Sequence, residues 1–377
     1  MPIKIHKVIH MKERNNQLMK TLDRYIGCPL LYLLGAVRQK AVWQKAGEEP
    51  KILLLKTAAM GDTILMDAVI KEIKAWRPKS KITFVCSGSN RGMAEALEHI
   101  DSIINFDMKR PLSSFKTVRS SGNYDLVLDF APWARINGVI AWSAKAGYTV
   151  GFRRKHMHRH YIYDCSVEHL DTVHELENYR NILRAARIPV QGFVPSFQTD
   201  REKRYIEGDY VVFHLYPAGS SVSLRQWDNK KWLALGKQIF EEYGFKICLS
   251  GGKEDAGAAE VLVQQMQKMG IDAVSMAGQY NLKEMESVLA QAKLLVTVNT
   301  GIMHMGAAVG VPLVALHGAT SVTRWGPLSE KVRNVWAHEP CQPCISLGFE
   351  SKCSNPVCMQ HISVGMVIDN IRDLLEK

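Results

Sequence analysis

The stretch that decides the fold is residues 51–67, KILLLKTAAMGDTILMD. Residues 52–55 form an unbroken apolar run of strand length, which is typical of a strand covered on both faces in a parallel sheet. A turn of small residues follows, and apolar residues then recur at helical spacing from 64 to 73. This strand, turn and helix predict the first unit of a doubly wound α/β domain, whose ligands bind beyond the carboxyl ends of the strands.

Two residues of that turn are candidates for function. Gly61 lets the backbone approach a ligand closely, and Asp62 places a carboxylate at the edge of the sheet. Asp62 is either a catalytic acid or base or the N-cap of a helix that starts at Thr63, because Asp is a favoured capping residue. The local pattern leaves both interpretations open.

The basic charge of the chain is concentrated near its start. Of the formal net charge of +11, residues 1–47 carry +7, from nine Lys and Arg against Glu13 and Asp23. The longest apolar run there, residues 29–37, is shorter than the roughly 20 residues of a membrane span. It also lacks the flanks of a signal peptide, so we expect a cytoplasmic protein whose eight cysteines stay reduced.

Apolar residues follow one face of this basic segment. That pattern is typical of a helix lying in an anionic membrane surface. The alternative is a basic helix packed on the protein body.

The second half of the chain repeats the α/β pattern. A polar stretch punctuated by Pro and Gly, residues 188–204, separates the two series and predicts an interdomain linker. We therefore expect two facing Rossmann-like α/β domains with a cleft between them. The expected divisions are a basic leader at 1–48, a first domain at 49–195, a second domain at 205–360, and a C-terminal helix at 361–377 that packs back on the first domain.

Three turns of the second half are built alike, each between a strand and a helix: PAGSS at 217–221, SGGKED at 250–255 and NTG at 299–301. Small residues at helix N-termini expose backbone N–H groups, and the helix dipole favours a negative charge there. Such a surface fits a diphosphate. Neither a Walker A pattern nor G-x-G-x-x-G occurs at these turns, which argues by motif against a P-loop kinase or a nicotinamide dehydrogenase.

Three side chains near those turns suit a bound nucleotide. Arg225 is placed to neutralise phosphate oxygens, Glu254 to accept hydrogen bonds from a ribose diol, and His304 to face back toward the NTG turn. Each also has a structural interpretation: a surface charge, an early-helix acid and a core histidine, respectively. Their convergence on one edge of a sheet favours the functional interpretation.

A basic run at 153–160, RRKHMHRH, follows the last strand predicted in the first series. Most charge runs are solvated loops, but the position of this one favours a lip that contacts an anionic substrate. Its leading residues Arg153, Arg154 and Lys155 are the candidates. Nucleic-acid binding is not expected, because aromatic platforms are not interleaved with the charge.

Four cysteines near the C-terminus form two close pairs: Cys341, Cys344, Cys353 and Cys358. The spacing resembles that of a structural zinc site. The alternative, which we favour, is four reduced thiols in a loop without a metal.

The chain resembles glycosyltransferase family nine, the lipopolysaccharide heptosyltransferase family, from about residue 51 to the C-terminus. The order and spacing of the matching segments make the resemblance specific. They are KTAAMGD at 56–62, HLYPAGSSVSLRQW at 214–227, LSGGKED at 249–255, NTGIMHMGAA at 299–308, PLVALHG at 312–318 and CQPC…C…CM at 341–359.

The resemblance implies a GT-B-type fold in which the first domain holds the acceptor and the second holds the sugar nucleotide. It implies transfer of heptose from ADP-heptose to a lipid-linked, anionic inner-core saccharide, with inversion, without a metal or other cofactor, at the inner face of the cytoplasmic membrane. Asp62 matches the family's general base. The donor would contact Ser220, Ser221, Arg225, Glu254, Asn299, Thr300, Gly301 and His304; the acceptor would contact Thr57, Gly61, Arg153, Arg154 and Lys155.

Two positions depart from the family pattern. Arg225 stands where members usually carry Lys, and Asn299 replaces the Asp of Asp-Thr-Gly. A related transferase that uses another nucleotide sugar is therefore an alternative to the heptosyltransferase. A non-catalytic binder of sugar nucleotides or anionic glycans is a second alternative, against which Asp62 argues.

Overall fold

Two parallel six-stranded sheets, one in each half of the chain, organise the protein. A computed structural model describes residues 21, 23–44, 46–200, 202–219, 221–345 and 353–376. The strands are β1 (Lys51–Leu55), β2 (Lys81–Cys86), β3 (Ser102–Asn105), β4 (Asn123–Asp129), β5 (Lys145–Arg153), β6 (Cys165–Glu168), β7 (Tyr210–His214), β8 (Lys246–Ser250), β9 (Ala273–Ser275), β10 (Leu294–Val298), β11 (Leu313–Leu316) and β12 (Val332–Val335). The prediction of an α/β fold with two parallel sheets is confirmed.

Helices connect the strands and cover the sheets. They are α1 (Gly27–Val37), α2 (Met60–Trp76), α3 (Arg91–Ala96), α4 (Pro111–Ser120), α5 (Arg135–Ser143), α6 (Glu175–Ala185), α7 (Asn229–Tyr243), α8 (Ala256–Lys268), α9 (Leu282–Gln291), α10 (Gly301–Val309), α11 (Val322–Trp325), α12 (Val357–Gln360) and α13 (Val364–Leu375). Short 3-10 turns occur at Arg159–Tyr161, Val222–Leu224 and Lys253–Asp255.

The opening strand sits at the centre of the first sheet, whose order is β3-β2-β1-β4-β5-β6. Ile52, Leu53, Leu54 and Leu55 are all inaccessible to solvent, as expected for a strand covered on both faces. The first three strands are added toward one edge of the sheet and the next three toward the other, so the strand order reverses between β1 and β4. The second sheet, β12-β11-β10-β7-β8-β9, has the same form and reverses between β7 and β10. Ligands of such sheets bind at these two positions.

The two halves of the chain pack against each other through α2 and α10. Hydrophobic side chains of both halves, among them Ile64, Val69, Met303 and Met305, belong to one buried cluster. The polar stretch after α6 is held against α2 by hydrogen bonds. The buried carboxylate of Glu72 accepts hydrogen bonds from the backbone N–H groups of residues 191–193.

The described part of the leader packs one side of α1 on the first half of the chain, and contact of the leader with a membrane stays a prediction. In α1, Leu31 is fully buried, and Leu30 and Leu34 pack against the same cluster. Residues 1–20 of the predicted leader lie outside the described ranges. None of the helices in those ranges is long and apolar enough to cross a membrane.

The C-terminal helix packs on the second sheet, so the expectation that it returns to the first domain was wrong. Val367, Ile368 and Ile371 of α13 are buried in the cluster that also contains Trp232 of α7. An ion pair between Arg372 and Glu242 joins the same two helices. The amphipathic pattern indicated that α13 has a buried face, but not which sheet it covers. The domain boundaries themselves stay a prediction.

Candidate active site

The carboxylate of Asp62 lies in the first turn of α2, directly beyond the end of β1. The helix begins at Met60, with Ala59 in the N-cap position and no side-chain cap. The N-cap interpretation of Asp62 was therefore wrong, because the helix starts three residues earlier than the pattern suggested. Asp62 is partly exposed, at 18% of its side chain, so a ligand can reach it.

Two side chains that the sequence analysis did not select hold Asp62 in place. Lys56 Nζ donates to Asp62 Oδ1 over 2.7 Å, and the Tyr179 hydroxyl donates to the same oxygen over 3.1 Å. Lys56 is itself buried at the end of β1 and also donates to the Phe130 carbonyl, at the end of β4. Burial, followed by the charge of Asp62, raises the pKa of Tyr179 well above its usual value. Tyr179 therefore remains a hydrogen-bond donor.

Only one of these two residues had a signal in the sequence. Lys56 is a charged residue directly after the apolar run of β1, which places it at the ligand-binding edge of the sheet. Tyr179 follows 117 residues after Asp62, in α6, and nothing in its local pattern points to the site.

The N-termini of α2 and α10 meet beside Asp62. A methyl group at Gly61 would come within 2.9 Å of His304 Cδ2, and one at Gly301 within 2.2 Å of the Met60 side chain. The close approach of the two helices therefore favours glycine at both positions. Two helix N-termini that converge on one point favour a bound anion there.

His304 lies within this junction and is buried, as the core-histidine interpretation expected. Burial lowers its pKa to about 3, so the imidazole is neutral at physiological pH. It is nevertheless in contact with the turn that carries Asp62. The structure thus places His304 between the two halves of the chain.

Arg225 joins two of the three predicted phosphate-binding turns. Its Nη1 donates to the Asn299 carbonyl over 3.1 Å, and its Nη2 donates to the Ala218 carbonyl over 2.7 Å. The guanidinium is therefore fixed between the ends of β7 and β10, where the second sheet reverses direction. Its position is not that of an isolated surface charge.

The other predicted donor residues lie along the same edge. Ser221 adopts a left-handed conformation with φ of 57°, Thr300 is the N-cap residue of α10, and Glu254 is exposed in the turn beyond β8. Because β10, β7 and β8 are neighbours, their turns share one end of the sheet. Ser220 lies outside the described residues.

A chain of polar side chains around the buried His317 supports Asn299. Its Nδ2 atom is 3.2 Å from His317 Nδ1, and His317 Nε2 is 2.8 Å from Asn334 Oδ1. Burial lowers the pKa of His317 to about 4, so its ring is neutral and can accept from the Asn299 amide. Neither His317 nor Asn334 was selected from the sequence, because their relation to Asn299 depends on the pairing of β10, β11 and β12.

The acceptor candidates separate into different environments. Thr57 is buried and bonded to Asn137, Arg154 makes a bidentate ion pair with Asp171 at 3.0 Å, and Arg153 and Lys155 are exposed. Arg159, from the same basic run, is fully buried against Asp129 and Tyr163. The run is therefore only partly an exposed lip.

The four C-terminal cysteines differ in exposure. Cys341 and Cys353 are exposed, Cys344 is half-buried, and Cys358 is buried, which raises the pKa of its thiol. Residues 346–352, between the two pairs, lie outside the described ranges. Within those ranges no group of three or more His, Cys, Asp or Glu side chains is arranged to hold a metal ion. The zinc alternative stays a prediction.

Comparisons with known proteins show which proteins the chain is similar to. Residues 112–354 match the family model described as Glycosyltransferase family 9 (heptosyltransferase). The chain is similar to Lipopolysaccharide heptosyltransferase 2 of Salmonella typhimurium, with 24% identity over 307 residues that cover 76% of this chain and 87% of the relative. A shorter match, 27% identical, to Lipooligosaccharide heptosyltransferase 2 of Haemophilus influenzae spans 36% of this chain and 41% of that relative.

The fold is also similar to a solved structure, that of E. coli ADP-heptose lps heptosyltransferase II. The TM-score is 0.69, with 19% identity over 86% of this chain and 98% of the other. At this identity the likeness establishes the architecture alone.

Proposed function

The chain belongs to glycosyltransferase family 9, the heptosyltransferase family, and on this premise we propose that it transfers heptose from ADP-heptose to an inner-core lipopolysaccharide acceptor. A relative named Lipopolysaccharide heptosyltransferase 2 supports the proposal. As a member of the family the chain is a glycosyltransferase, which argues against a purely binding role. The acceptor is an anionic, lipid-linked saccharide, and the reaction takes place at the inner face of the cytoplasmic membrane.

The observation that carries the proposal is the junction of α2 with α10. It places Asp62 next to the Asn299-Thr300-Gly301 turn, to which Arg225 is hydrogen-bonded. A base from one half of the chain thereby stands beside the predicted diphosphate site of the other. A single displacement needs this arrangement, because the acceptor is deprotonated while the nucleoside diphosphate leaves.

We assign the proton transfer to Asp62 Oδ2. Lys56 and Tyr179 both donate to Oδ1, which fixes the plane of the carboxylate and leaves the second oxygen for the acceptor hydroxyl. Because the hydroxyl attacks the sugar from the side opposite the diphosphate, the product has inverted configuration.

The leaving diphosphate is stabilised by groups of the protein. Arg225 and the N–H groups at the start of α10 place positive charge where negative charge develops. With these groups in place, we propose that catalysis needs neither a metal nor another cofactor.

The test is product analysis with the purified chain. Incubation with ADP-heptose and a lipid-linked inner-core acceptor should give a product heavier by one heptose, detected by mass spectrometry, and EDTA should not reduce the yield. ADP-glucose, UDP-glucose and GDP-mannose serve as donor controls. Transfer from one of these and none from ADP-heptose would contradict the proposed donor.

The bonding of Asn299 favours a second candidate, a related transferase with another nucleotide sugar. A neutral amide held by neutral His317 offers the sugar a different set of hydrogen bonds from those of a carboxylate. Asn299→Asp separates the two candidates. If ADP-heptose is the native donor, the variant should keep or gain activity with it; if another sugar is native, the variant should impair the native reaction.

A further inference from the structure

The outward face of α1 carries an unusual amount of exposed apolar surface. Among the described residues, fourteen large hydrophobic side chains are exposed, and six of them lie between positions 25 and 42, in α1 or in the segments that flank it. Ile26 is 59% exposed, Leu33 68% and Val37 72%. Contiguous apolar patches of this kind mark interaction sites rather than ordinary surface.

This surface is a consequence of the helix being apolar on all sides. The sequence of α1, GCPLLYLLGAV, has no charged residue. One side packs on the protein, where Leu31 is buried and a methyl group at Gly35 would come within 2.7 Å of Tyr161. The opposite side carries Ile26, Leu33 and Val37, which recur at helical spacing. A helix that is hydrophobic all round requires apolar surroundings on its second face as well.

The helix is held firmly in this orientation. Asp23, before it, pairs with Arg135 at 3.0 Å, and Arg38, after it, pairs with Asp164 at 2.9 Å. Because both ends are tied to the first half of the chain, the exposed face has a fixed direction relative to the sheet.

Positive charge borders the exposed face. Arg24 and Lys40 flank the helix and are exposed. The Tyr32 hydroxyl lies 3.1 Å from His158 Nδ1, and its ring packs on Tyr161. These contacts join α1 to the basic run, whose Arg153 and Lys155 are exposed.

We propose that the outward face of α1 docks the protein on an anionic lipid bilayer. The proposal rests on the proposed function, which requires a lipid-linked acceptor, and it names the surface that meets the membrane. An apolar helix face with a cationic border enters the boundary between headgroups and acyl chains. A second copy of the chain is a poor occupant, because two leaders of charge +7 would repel each other.

Vesicle sedimentation of the full chain tests the proposal. The probes are phosphatidylcholine vesicles with and without phosphatidylglycerol, at low and high salt. The double variant Leu33→Gln/Val37→Gln removes apolar surface without changing charge or the buried face. We expect its partitioning onto phosphatidylglycerol vesicles to fall roughly 10- to 100-fold.

The matched control is Val261→Gln/Met269→Gln, which alters two exposed apolar residues of the second half. It should bind vesicles like the wild type. Wild-type binding should require phosphatidylglycerol and weaken as salt is raised.

Equal vesicle binding by wild type and Leu33→Gln/Val37→Gln would overturn the proposal. The proposal would also be overturned if the wild type self-associated without binding vesicles and this double variant no longer self-associated. In that case the outward face would bind a second copy of the chain. A variant that lacks residues 1–20 gives a further test. If this deletion removes vesicle binding and the double variant does not, α1 is not the docking face. None of these measurements contains donor or acceptor, so a failure of the proposed reaction would leave the outcome unaffected.

Discussion

Asp62 is the residue whose replacement should separate chemistry from binding. Asp62→Asn keeps the size of the side chain but removes the base, so turnover should fall roughly 10²- to 10⁴-fold. The affinity for ADP, measured by calorimetry, should change little, because the proposed diphosphate site lies in the other half of the chain. A variant with near-wild-type turnover would show that Asp62 is structural.

Asp67→Asn is the matched control for that experiment. Asp67 lies on the same helix, where it pairs with Lys71 at 2.6 Å and accepts from the Ser196 backbone N–H at 2.9 Å. Its replacement should lower the stability of the fold and leave turnover largely intact.

Arg225 should determine affinity for the diphosphate. A charge-assisted contact is worth about 1.5–3 kcal/mol, so Arg225→Ala should raise the dissociation constant for ADP roughly 10- to 150-fold. Arg225→Lys should recover part of the affinity, because it restores the charge without the two-pronged geometry. Arg333→Ala is the control, since Arg333 pairs with Asp373 away from the turns. Unchanged affinity in Arg225→Ala would place the phosphate site elsewhere.

At the scale of one element, α1 offers a matched pair of leucines. Leu31 is fully buried and Leu33 is 68% exposed, two positions apart in the same helix. Leu31→Ala should lower the free energy of unfolding by about 2–5 kcal/mol, because it leaves a cavity. Leu33→Ala should change it by less than about 0.5 kcal/mol. Urea unfolding measures both, and similar losses would mean that the packing of α1 is different.

For the whole molecule, Arg324 connects the two halves of the chain. It is buried in α11, and its guanidinium pairs with Glu175 at 3.0 Å and with Asp171 at 2.6 Å. His174 Nε2 also donates to the Gly326 carbonyl over 2.9 Å. Arg324→Ala would leave the carboxylate of Glu175 buried without one of its two principal partners, the other being His169, and should cost about 3–5 kcal/mol of stability.

A second variant tests that explanation. In Arg324→Met/Glu175→Gln both charges are removed, so most of the lost stability should return. If the double variant is as unstable as Arg324→Ala, the ion pair is not the cause of the loss.

Glu175 also makes stability depend on pH. Burial alone would raise its pKa, but His169 and Arg324 outweigh burial and lower the pKa to about 2 from 4.5. A depressed carboxylate pKa stabilises the fold above about pH 4.5, and this contribution is lost as pH falls toward 2. Glu175→Gln should therefore show a smaller loss of stability than the wild type between pH 4.5 and 2, measured by urea unfolding at each pH. An equal loss would assign the acid sensitivity to other groups.

Local patterns in the sequence were sufficient for much of the fold and part of the site. The apolar run and small-residue turn at 51–62 predicted β1, its turn and Asp62 at the edge of a parallel sheet. The repeated strand-turn-helix pattern predicted the second sheet and the common edge of Arg225 and Asn299. These features are local, because residues close together in the sequence are enough to show burial on two faces and helical periodicity.

Contacts between distant residues were decided by the tertiary structure alone. Tyr179 reaches Asp62, Arg324 reaches Glu175, and His317 supports Asn299, each through the packing of separate elements. The packing of α13 on the second sheet belongs to the same class. Periodicity reports that a side chain is buried but not which partner it meets, because the apolar faces of both sheets present the same pattern. Which side chain a buried residue contacts depends on the complementary shape and charge of the elements that pack against each other in the folded protein.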